Sequence, residues 1–154
     1  MEAPIYREEV WLAQWASIAL GIFIAILTPL FILQLYTVSK EPTLTILYLV
    51  LDIFFVSVFV NFRKLDIVIT NTWLTVSFGL IRKKITLSNL VACEPVQAKL
   101  GVYSGFGIRY GGDGSLAFLT SLSDAVRLEL VSGRPFVFST RNQRKIMDII
   151  RKLT

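Results

Sequence analysis

Two long apolar runs fill most of the first 62 residues, and a short polar turn separates them. No charged residue occurs between Glu9 and Lys40. The first run, 11–36, has 26 residues and the second, 44–62, has 19. A helix rises 1.5 Å per residue, so each run can cross a hydrocarbon layer of about 30 Å. The pattern therefore predicts a transmembrane helical hairpin with its turn at 37–43.

The residues that flank these runs predict their orientation. Trp11, Trp15 and Tyr36 lie near the ends of the first run, where aromatic rings favour the membrane interface. Basic residues are scarce in the turn, which carries only Lys40, and follow the second run closely as Arg63, Lys64, Arg82, Lys83 and Lys84. The positive-inside rule then predicts a multi-pass protein of the plasma (inner) membrane with both termini in the cytoplasm. The acidic start, MEAPIYREEV, argues against a cleaved signal peptide.

After residue 63 the hydrophobic period becomes two, which is typical of strands. The predicted strands are 65–70, 73–78, 83–87, 91–96, 106–110, 115–120, 125–130 and 134–139. Three hairpins are expected among them, with turns at 71–72, 111–114 and 132–133, and 97–105 is expected to be a loop. A helix then begins near Thr140, with Gln143 completing a capping box. Its apolar face is expected to consist of Ile146, Ile149, Ile150 and Leu153. The chain thus divides into a hairpin, 1–62, and an α+β domain, 63–154.

Charge and composition narrow the function classes. Residues 1–62 carry two basic and five acidic groups, and residues 63–154 carry fourteen and six, so −3 and +8 give the net charge of +5. The chain has one cysteine, Cys93, and no histidine. The usual zinc ligand sets, an internal disulfide and the Ser-His-Asp and Cys-His catalytic arrangements cannot be assembled. We therefore expect no enzyme activity, no metal and no cofactor.

Several segments of the β region carry a resemblance to a known family. They are KKITLSNLVACEPV (83–96) with Leu87 and Leu90 around a turn, GFGIRY (105–110) with Gly107, Ile108 and Arg109 in a strand, and AVRLELVSGRPFVFSTRNQRKIMDIIRKL (125–153). This order, after a two-helix hairpin, resembles the bacterial-type pleckstrin-homology (PH-like) domain family of membrane proteins. The resemblance covers about residues 60–154. It implies a seven-stranded half-open barrel closed by a C-terminal helix and used mostly for binding.

Basic residues just after the second run form the first candidate site. They are Arg63, Lys64, Arg82, Lys83 and Lys84. A basic cluster beside a membrane attracts anionic headgroups with about 1 kcal/mol per well-placed Lys or Arg. The same residues also serve as a topology signal, and a solvated basic face explains them as well. The glycine-rich turn at 111–114 lacks the Lys-Ser/Thr of a phosphate-binding loop. Its glycines are expected only to allow a tight turn between two strands.

Asp52 is a carboxylic acid near the centre of the second run, where a charge costs about 2.5–3.5 kcal/mol on insertion scales. Three interpretations remain open. Its side chain can bond to a polar neighbour on the first helix, such as Ser17 or Thr28. It can also contact a partner helix, or it can form part of an ion or proton site.

These observations predict a membrane-anchored binding or scaffold module at the cytoplasmic face. Its expected partners are the membrane, other membrane proteins or further copies of the chain, and anionic lipid headgroups, but not nucleic acid. The alternatives are an accessory or assembly subunit of a larger membrane complex and a small transporter or channel subunit that uses Asp52.

Overall fold

The computed structural model describes residues 3–36 and 42–154, so residues 37–41 of the predicted turn lie outside the described residues. The helices are α1 (Gln14–Tyr36), α2 (Pro42–Phe62), α3 (Leu100–Tyr103) and α4 (Gln143–Leu153). The strands are β1 (Tyr6–Trp11), β2 (Lys64–Ile69), β3 (Trp73–Phe78), β4 (Ile81–Thr86), β5 (Leu90–Gln97), β6 (Gly107–Tyr110), β7 (Leu116–Leu119), β8 (Asp124–Leu130) and β9 (Phe136–Ser139).

Helices α1 and α2 are long and apolar enough to cross a membrane, and neither contains a buried residue. This confirms the two apolar helices, but their bounds differ from the predicted 11–36 and 44–62. Helix α1 begins at Gln14 because Trp11 still belongs to a strand. Helix α2 begins at Pro42, whose fixed φ suits the first turn of a helix and whose missing N–H is not needed there.

The segment before the hairpin forms a strand that the sequence analysis did not predict. Strand β1 pairs antiparallel with β2, with Tyr6 opposite Ile69 and Trp11 opposite Lys64. Its side chains alternate between buried and exposed positions. The division at residue 62 therefore left out six residues that lie in the same sheet as 64–86, and the hairpin is inserted between β1 and β2.

The strands form two sheets. The first has the order β1-β2-β3-β4 and the second β5-β8-β9-β7-β6. All pairings are antiparallel except that of β7 with β9. A short 3₁₀ helix, Leu87–Asn89, turns the chain from the first sheet to the second. All eight strands expected from the period are present, β1 makes nine among the residues that the structure describes, and the resemblance implied seven. The expected loop 97–105 contains α3.

The core lies between the sheets and beneath α4. Aromatic rings run through it from the base of α2, with successive centroids 5.2, 5.7, 5.2 and 5.9 Å apart, and they belong to Phe62, Phe78, Phe118, Phe136 and Phe138. Rings at these spacings add to the stabilisation from burial alone. Helix α4 covers this core with Ile146 and Ile150 buried and Ile149 and Leu153 packed beside them, which confirms its predicted apolar face.

Candidate functional site

Backbone hydrogen bonds join the hairpin to the β region at one end of the sheets, which we call the hairpin end. The N–H of Leu12 donates to the carbonyl of Arg63 at 2.8 Å, where the chain leaves β1 and returns into β2. The N–H of Ala13 donates to the carbonyl of Thr120, just after β7, at 2.9 Å. Both sheets are thus tied to the first residues of the hairpin.

The structure separates the five predicted basic residues. Arg82 and Lys84 lie on the outer face of the first sheet together with Lys64, since Arg82 pairs with Ser77 and Ser77 with Asp66. Lys83 lies on the opposite face of β4, because successive side chains of a strand alternate. Arg63 precedes β2 and is exposed, with its guanidinium carbon 6.0 Å from the centroid of the Trp11 ring.

Lys64 is neutralised within the sheet. Its Nζ lies 2.8 Å from Glu9 Oε1 and 3.8 Å from Asp66 Oδ2, and Arg7 contacts the same two carboxylates at 3.5 and 3.6 Å. The hydrogen bond from Lys64 holds the pKa of Glu9 below its ordinary value. The charge of Lys64 is therefore shared with two carboxylates. Lys64 is not part of the cationic site that we consider below.

The charges of Arg82 and Lys84 are not balanced by a carboxylate of the described residues. Neither forms an ion pair within the part of the chain that the structure describes, and both are exposed. The ammonium of Lys84 lies 3.9 Å from the centroid of the Trp73 ring, a cation–π contact that positions the charge without neutralising it. We group them with Arg63, which lies beside Trp11 at the opposite edge of the sheet, and call the three residues the cationic face.

The turn between β3 and β4 is an apolar tip beside this face. Leu80 is 90% exposed and Ile81 45% exposed. The N–H of Leu80 donates at 3.3 Å to the side-chain oxygen of Asn61, which lies in the last turn of α2. Gly79 has φ +49°, and an added Cβ would lie 2.6 Å from that oxygen, so the close approach requires glycine. The tip is thus held level with the end of α2.

Asp52 has a partner inside the hairpin. The hydroxyl of Thr28 on α1 donates to Asp52 Oδ1 at 3.0 Å. This is one of the contacts that the sequence analysis left open. It joins the two helices through a polar pair, as polar side chains commonly do between helices in lipid. Whether Asp52 also serves a partner or an ion stays a prediction.

A carboxylate that the sequence analysis missed lies in the core. Glu8, on the inward face of β1, is only 9% exposed. It accepts hydrogen bonds from Tyr6 Oη at 2.9 Å, Thr140 Oγ1 at 2.8 Å and the N–H of Arg141 at 2.9 Å, and a longer one from Asn142 Nδ2 at 3.5 Å. Burial, together with the hydrogen bond to Glu8 and the charge of Glu8, raises the pKa of Tyr6 to about 12, so Tyr6 remains a donor at neutral pH.

The predicted capping box at the start of α4 is wrong. The helix is capped at Asn142, whose side chain makes no capping hydrogen bond. The Gln143 amide donates instead to the carbonyls of Val96 and Ala125, at 2.8 and 2.7 Å, and ties α4 to β5 and β8. The negative charge that favours a helix N-terminus comes from Glu8, which is remote in sequence. A local motif could not reveal this, since β1 is more than 130 residues away.

The glycine-rich turn at 111–114 is held together by the side chain of one of its own residues, Asp113. Asp113 accepts hydrogen bonds from the N–H and hydroxyl of Ser115, at 3.1 and 2.6 Å, and pairs with Arg127. Burial alone would raise the pKa of Asp113, but the bonds from Ser115 and Arg127 outweigh it and hold the pKa below its ordinary value. The turn is therefore structural, as expected from its sequence.

Cys93 provides a test of the packing between β5 and α4. Burial raises the pKa of its thiol to about 11, and the neighbouring Glu94 adds to this effect while Arg151 opposes it. Because the thiolate is the reactive form, we expect the folded protein at pH 7.5 to react with a thiol reagent on the order of 100-fold more slowly than the unfolded chain. The measurement is a labelling time course with and without denaturant. The chain has no other cysteine, so native labelling as fast as that of the unfolded chain would contradict the partly buried position of Cys93 against α4.

Two cavities lie at the hairpin end. One has a volume of about 390 Å³ and an almost wholly apolar lining from both hairpin helices and β6, with Arg109 at its edge. The other has a volume of about 600 Å³ and is lined by the end of β1, the start of α1, the β7–β8 loop and the segment before α4. The second, which we call the polar cavity, has polar and apolar surface in about equal parts. The sequence offered no signal for it, because its lining comes from three separate segments of the chain.

Comparison of the chain with protein-family models, with curated proteins and with solved structures found no significant match in any of the three. The resemblance to PH-like membrane proteins therefore stays a prediction. The proposed function therefore rests on the contacts, burial and charges described above.

Proposed function

We propose that this protein is a membrane-anchored PH-like binding module. In this proposal the hairpin crosses the plasma membrane twice, both termini lie in the cytoplasm, and the β domain rests on the inner surface. The cationic face, Arg63, Arg82 and Lys84, binds anionic lipid headgroups there. The scaffold role expected from the sequence then follows from a domain that is held in one pose on the membrane.

The apolar tip carries this proposal. Leu80 and Ile81 are exposed to an extent that is costly in water, yet hydrogen bonding to Asn61 keeps them level with the last turn of α2. If α2 crosses the bilayer, the tip reaches the interfacial region. An exposed apolar tip next to cations is a common combination in membrane-surface binding, because one part enters the acyl boundary and the other meets phosphates.

The positions of the cations support the same orientation. Arg63 lies at the hairpin end itself, and Arg82 follows the tip directly. Lys84 is two residues further along β4, about 7 Å from Arg82 at the rise of an extended strand. Arg63 and Arg82 therefore lie beside the end of α2, where attraction to an anionic leaflet is strong, whereas Lys84 lies about 13 Å along the strand from Leu80, where that attraction is weaker.

The alternatives receive less support. A transporter needs charged groups along its path, and Asp52 is the only acidic or basic residue in the two helices. Its hydrogen bond from Thr28 gives it a partner within the chain. We therefore assign Asp52 to helix association in preference to transport, and we regard a role as an assembly subunit as compatible with lipid binding.

The test is lipid selectivity of the full-length protein. We expect the variant Arg82→Gln to lower the affinity for phosphatidylglycerol about fivefold, because each well-placed cation contributes about 1 kcal/mol. The affinity for phosphatidylcholine should not change. Native mass spectrometry of protein in mild detergent, titrated with each lipid, measures both values.

Arg134→Gln is the matched control. Arg134 is an exposed arginine in the β8–β9 turn at the other end of the domain, where its guanidinium carbon lies 5.3 Å from the Tyr110 ring centroid. Its removal should leave phosphatidylglycerol binding unchanged. If both variants lose the same affinity for phosphatidylglycerol, the binding depends on net charge alone, and this result would contradict a positioned cationic face.

A further inference from the structure

The polar cavity at the hairpin end is distinct from the cationic face. It lies between the start of α1, where Gln14 and Ser17 contribute, and the β7–β8 loop, where Ser121 and Ser123 contribute. Its volume of about 600 Å³ is within the range of small-molecule sites. The hydroxyls of the two serines of the loop lie 2.7 Å apart and are already hydrogen-bonded to each other. The cavity thus has a prearranged set of polar groups.

Two opposite charges line this cavity without neutralising each other. Arg141 and Asp124 both contribute to its wall, both are exposed, and no ion pair joins them. Neither has another ion-pair partner among residues 3–36 and 42–154. The backbone around them is fixed, since the N–H of Arg141 is bonded to Glu8 and the carbonyl of Asp124 accepts from Thr140. A ligand with a phosphate and an amine would satisfy both charges.

The position of the cavity beside the start of α1 indicates where such a ligand comes from. The first residues of α1 form one wall, and Trp11, an exposed aromatic residue of the kind enriched at membrane interfaces, forms another part. Leu12 and Ala13 supply apolar surface on the same side. If α1 enters the bilayer, the cavity lies level with the headgroups. A phospholipid can then place its glycerol on the apolar side and its headgroup inside.

We propose that this cavity binds the phosphoethanolamine headgroup of a membrane phospholipid. Arg141 holds the phosphate, because a guanidinium donates two parallel hydrogen bonds to phosphate oxygens. Asp124 accepts hydrogen bonds from the ammonium, and the serine hydroxyls and the Gln14 amide complete the contacts. The inference rests on the membrane location proposed above, but it uses neither the cationic face nor anionic lipid.

This chemistry predicts selectivity among headgroups that share a phosphate. Choline carries the same charge as ethanolamine but has no N–H to donate, so the contact with Asp124 is weaker. Glycerol carries no positive charge at all. We therefore expect phosphatidylethanolamine to bind about tenfold more tightly than phosphatidylcholine, the value of one charge-assisted hydrogen bond.

The experiment uses the full-length protein in mild detergent and lipids of identical acyl chains, with native mass spectrometry as the readout. Asp124→Ala, which removes the carboxylate and leaves no side-chain acceptor, should reduce the ratio of phosphatidylethanolamine to phosphatidylcholine affinity to about one, mainly through loss of phosphatidylethanolamine affinity. Arg141→Gln should lower the affinity for both lipids about tenfold, because it removes the phosphate contact. These two patterns differ, so the roles of the two residues are tested separately.

Matched controls come from α4, where Arg144 and Asp148 are exposed but do not line the cavity. Arg144→Gln and Asp148→Ala should leave the preference unchanged. Thermal unfolding of all four variants checks that the fold is kept. Equal affinity of the wild type for the two lipids would overturn the proposal, and so would a preference that survives Asp124→Ala.

A competition arm separates the lipid from a soluble ligand with the same group. Free glycerophosphoethanolamine at an equimolar concentration should displace little bound lipid, since it lacks the acyl chains. Complete displacement would assign the cavity to a soluble ligand and overturn the lipid source. Failure of the phosphatidylglycerol test on Arg82 concerns another face and another lipid, so the two proposals fail independently.

Discussion

Residues 63–154 expressed alone are expected not to fold, whereas a variant in which a short glycine–serine linker replaces residues 13–62 is expected to fold without the hairpin. The reason is β1. Its Tyr6 and Val10 are buried in the core, and each contributes about 1.5–3 kcal/mol by burial. Loss of β1 also exposes the edge of β2 and removes Glu8 from α4, and the sum is comparable to the whole stability of a small domain.

The linker variant is feasible because the ends to be joined are adjacent. The N–H of Leu12 donates to the Arg63 carbonyl at 2.8 Å, and Trp11 pairs with Lys64. A short antiparallel connection can therefore close β1 onto β2 as a hairpin. Circular dichroism during thermal unfolding measures the result, and a cooperative transition is expected only for the linker variant.

A peptide of residues 3–12 serves as the control for this experiment. Added to residues 63–154, it should restore folding by supplying the missing strand, as in strand addition between chains. A cooperative transition of residues 63–154 without the peptide, at the temperature of the linker variant, would show that β1 is dispensable and contradict the sheet order.

Replacement of Glu8 is expected to produce the second large effect. Glu8→Leu should lower the free energy of unfolding by about 3 kcal/mol, because the Tyr6 hydroxyl, the Thr140 hydroxyl and the N–H of Arg141 lose their acceptor in a buried place. Glu8→Gln keeps one acceptor oxygen and should cost less. Denaturant titration of the full-length protein measures the free energy of unfolding of both variants. The accessibility of Cys93 to a thiol reagent reports the unfolded fraction at each denaturant concentration.

Glu9→Gln is the neighbouring control. Glu9 lies on the outer face of the same strand and bonds to Lys64 at the surface, so its removal should change stability far less than Glu8→Leu. Thr140→Val, which removes one of the donors to Glu8, should lie between the two, and combining it with Glu8→Leu should be less than additive. Equal effects of Glu8→Leu and Glu9→Gln would contradict a buried capping role.

The sequence could predict features that depend on neighbours along the chain. The apolar length of both hairpin helices, the alternation in eight strands and the apolar face of α4 are visible in it, because burial follows the local period of each element. Strand β1 was missed because a glutamate occupies one of its inward positions, which hides the alternation of Tyr6 and Val10. The capping box was wrong because Gln143 finds better acceptors on β5 and β8 than at its own helix start.

The candidate site was predicted only in part for the same reason. The five basic residues form two short runs in the sequence, 63–64 and 82–84, but the strand period places Lys83 on the other face and the sheet pairing neutralises Lys64. No local pattern marks Leu80 as a tip, since its role depends on a hydrogen bond to Asn61. The polar cavity requires three distant segments to meet, and proximity along the chain gives no indication of that.

Two helices suited to a membrane and a basic β-rich region with a C-terminal helix could be predicted from the order of residues alone. Those properties follow from hydrophobicity and its period, which are local quantities. The folded chain was needed to show that the segment before the hairpin completes the first sheet, that Glu8 holds α4, and which charges remain unpaired. Pairing between distant strands and the satisfaction of buried polar groups are properties of the packed chain, so they depend on contacts that no single stretch of sequence contains.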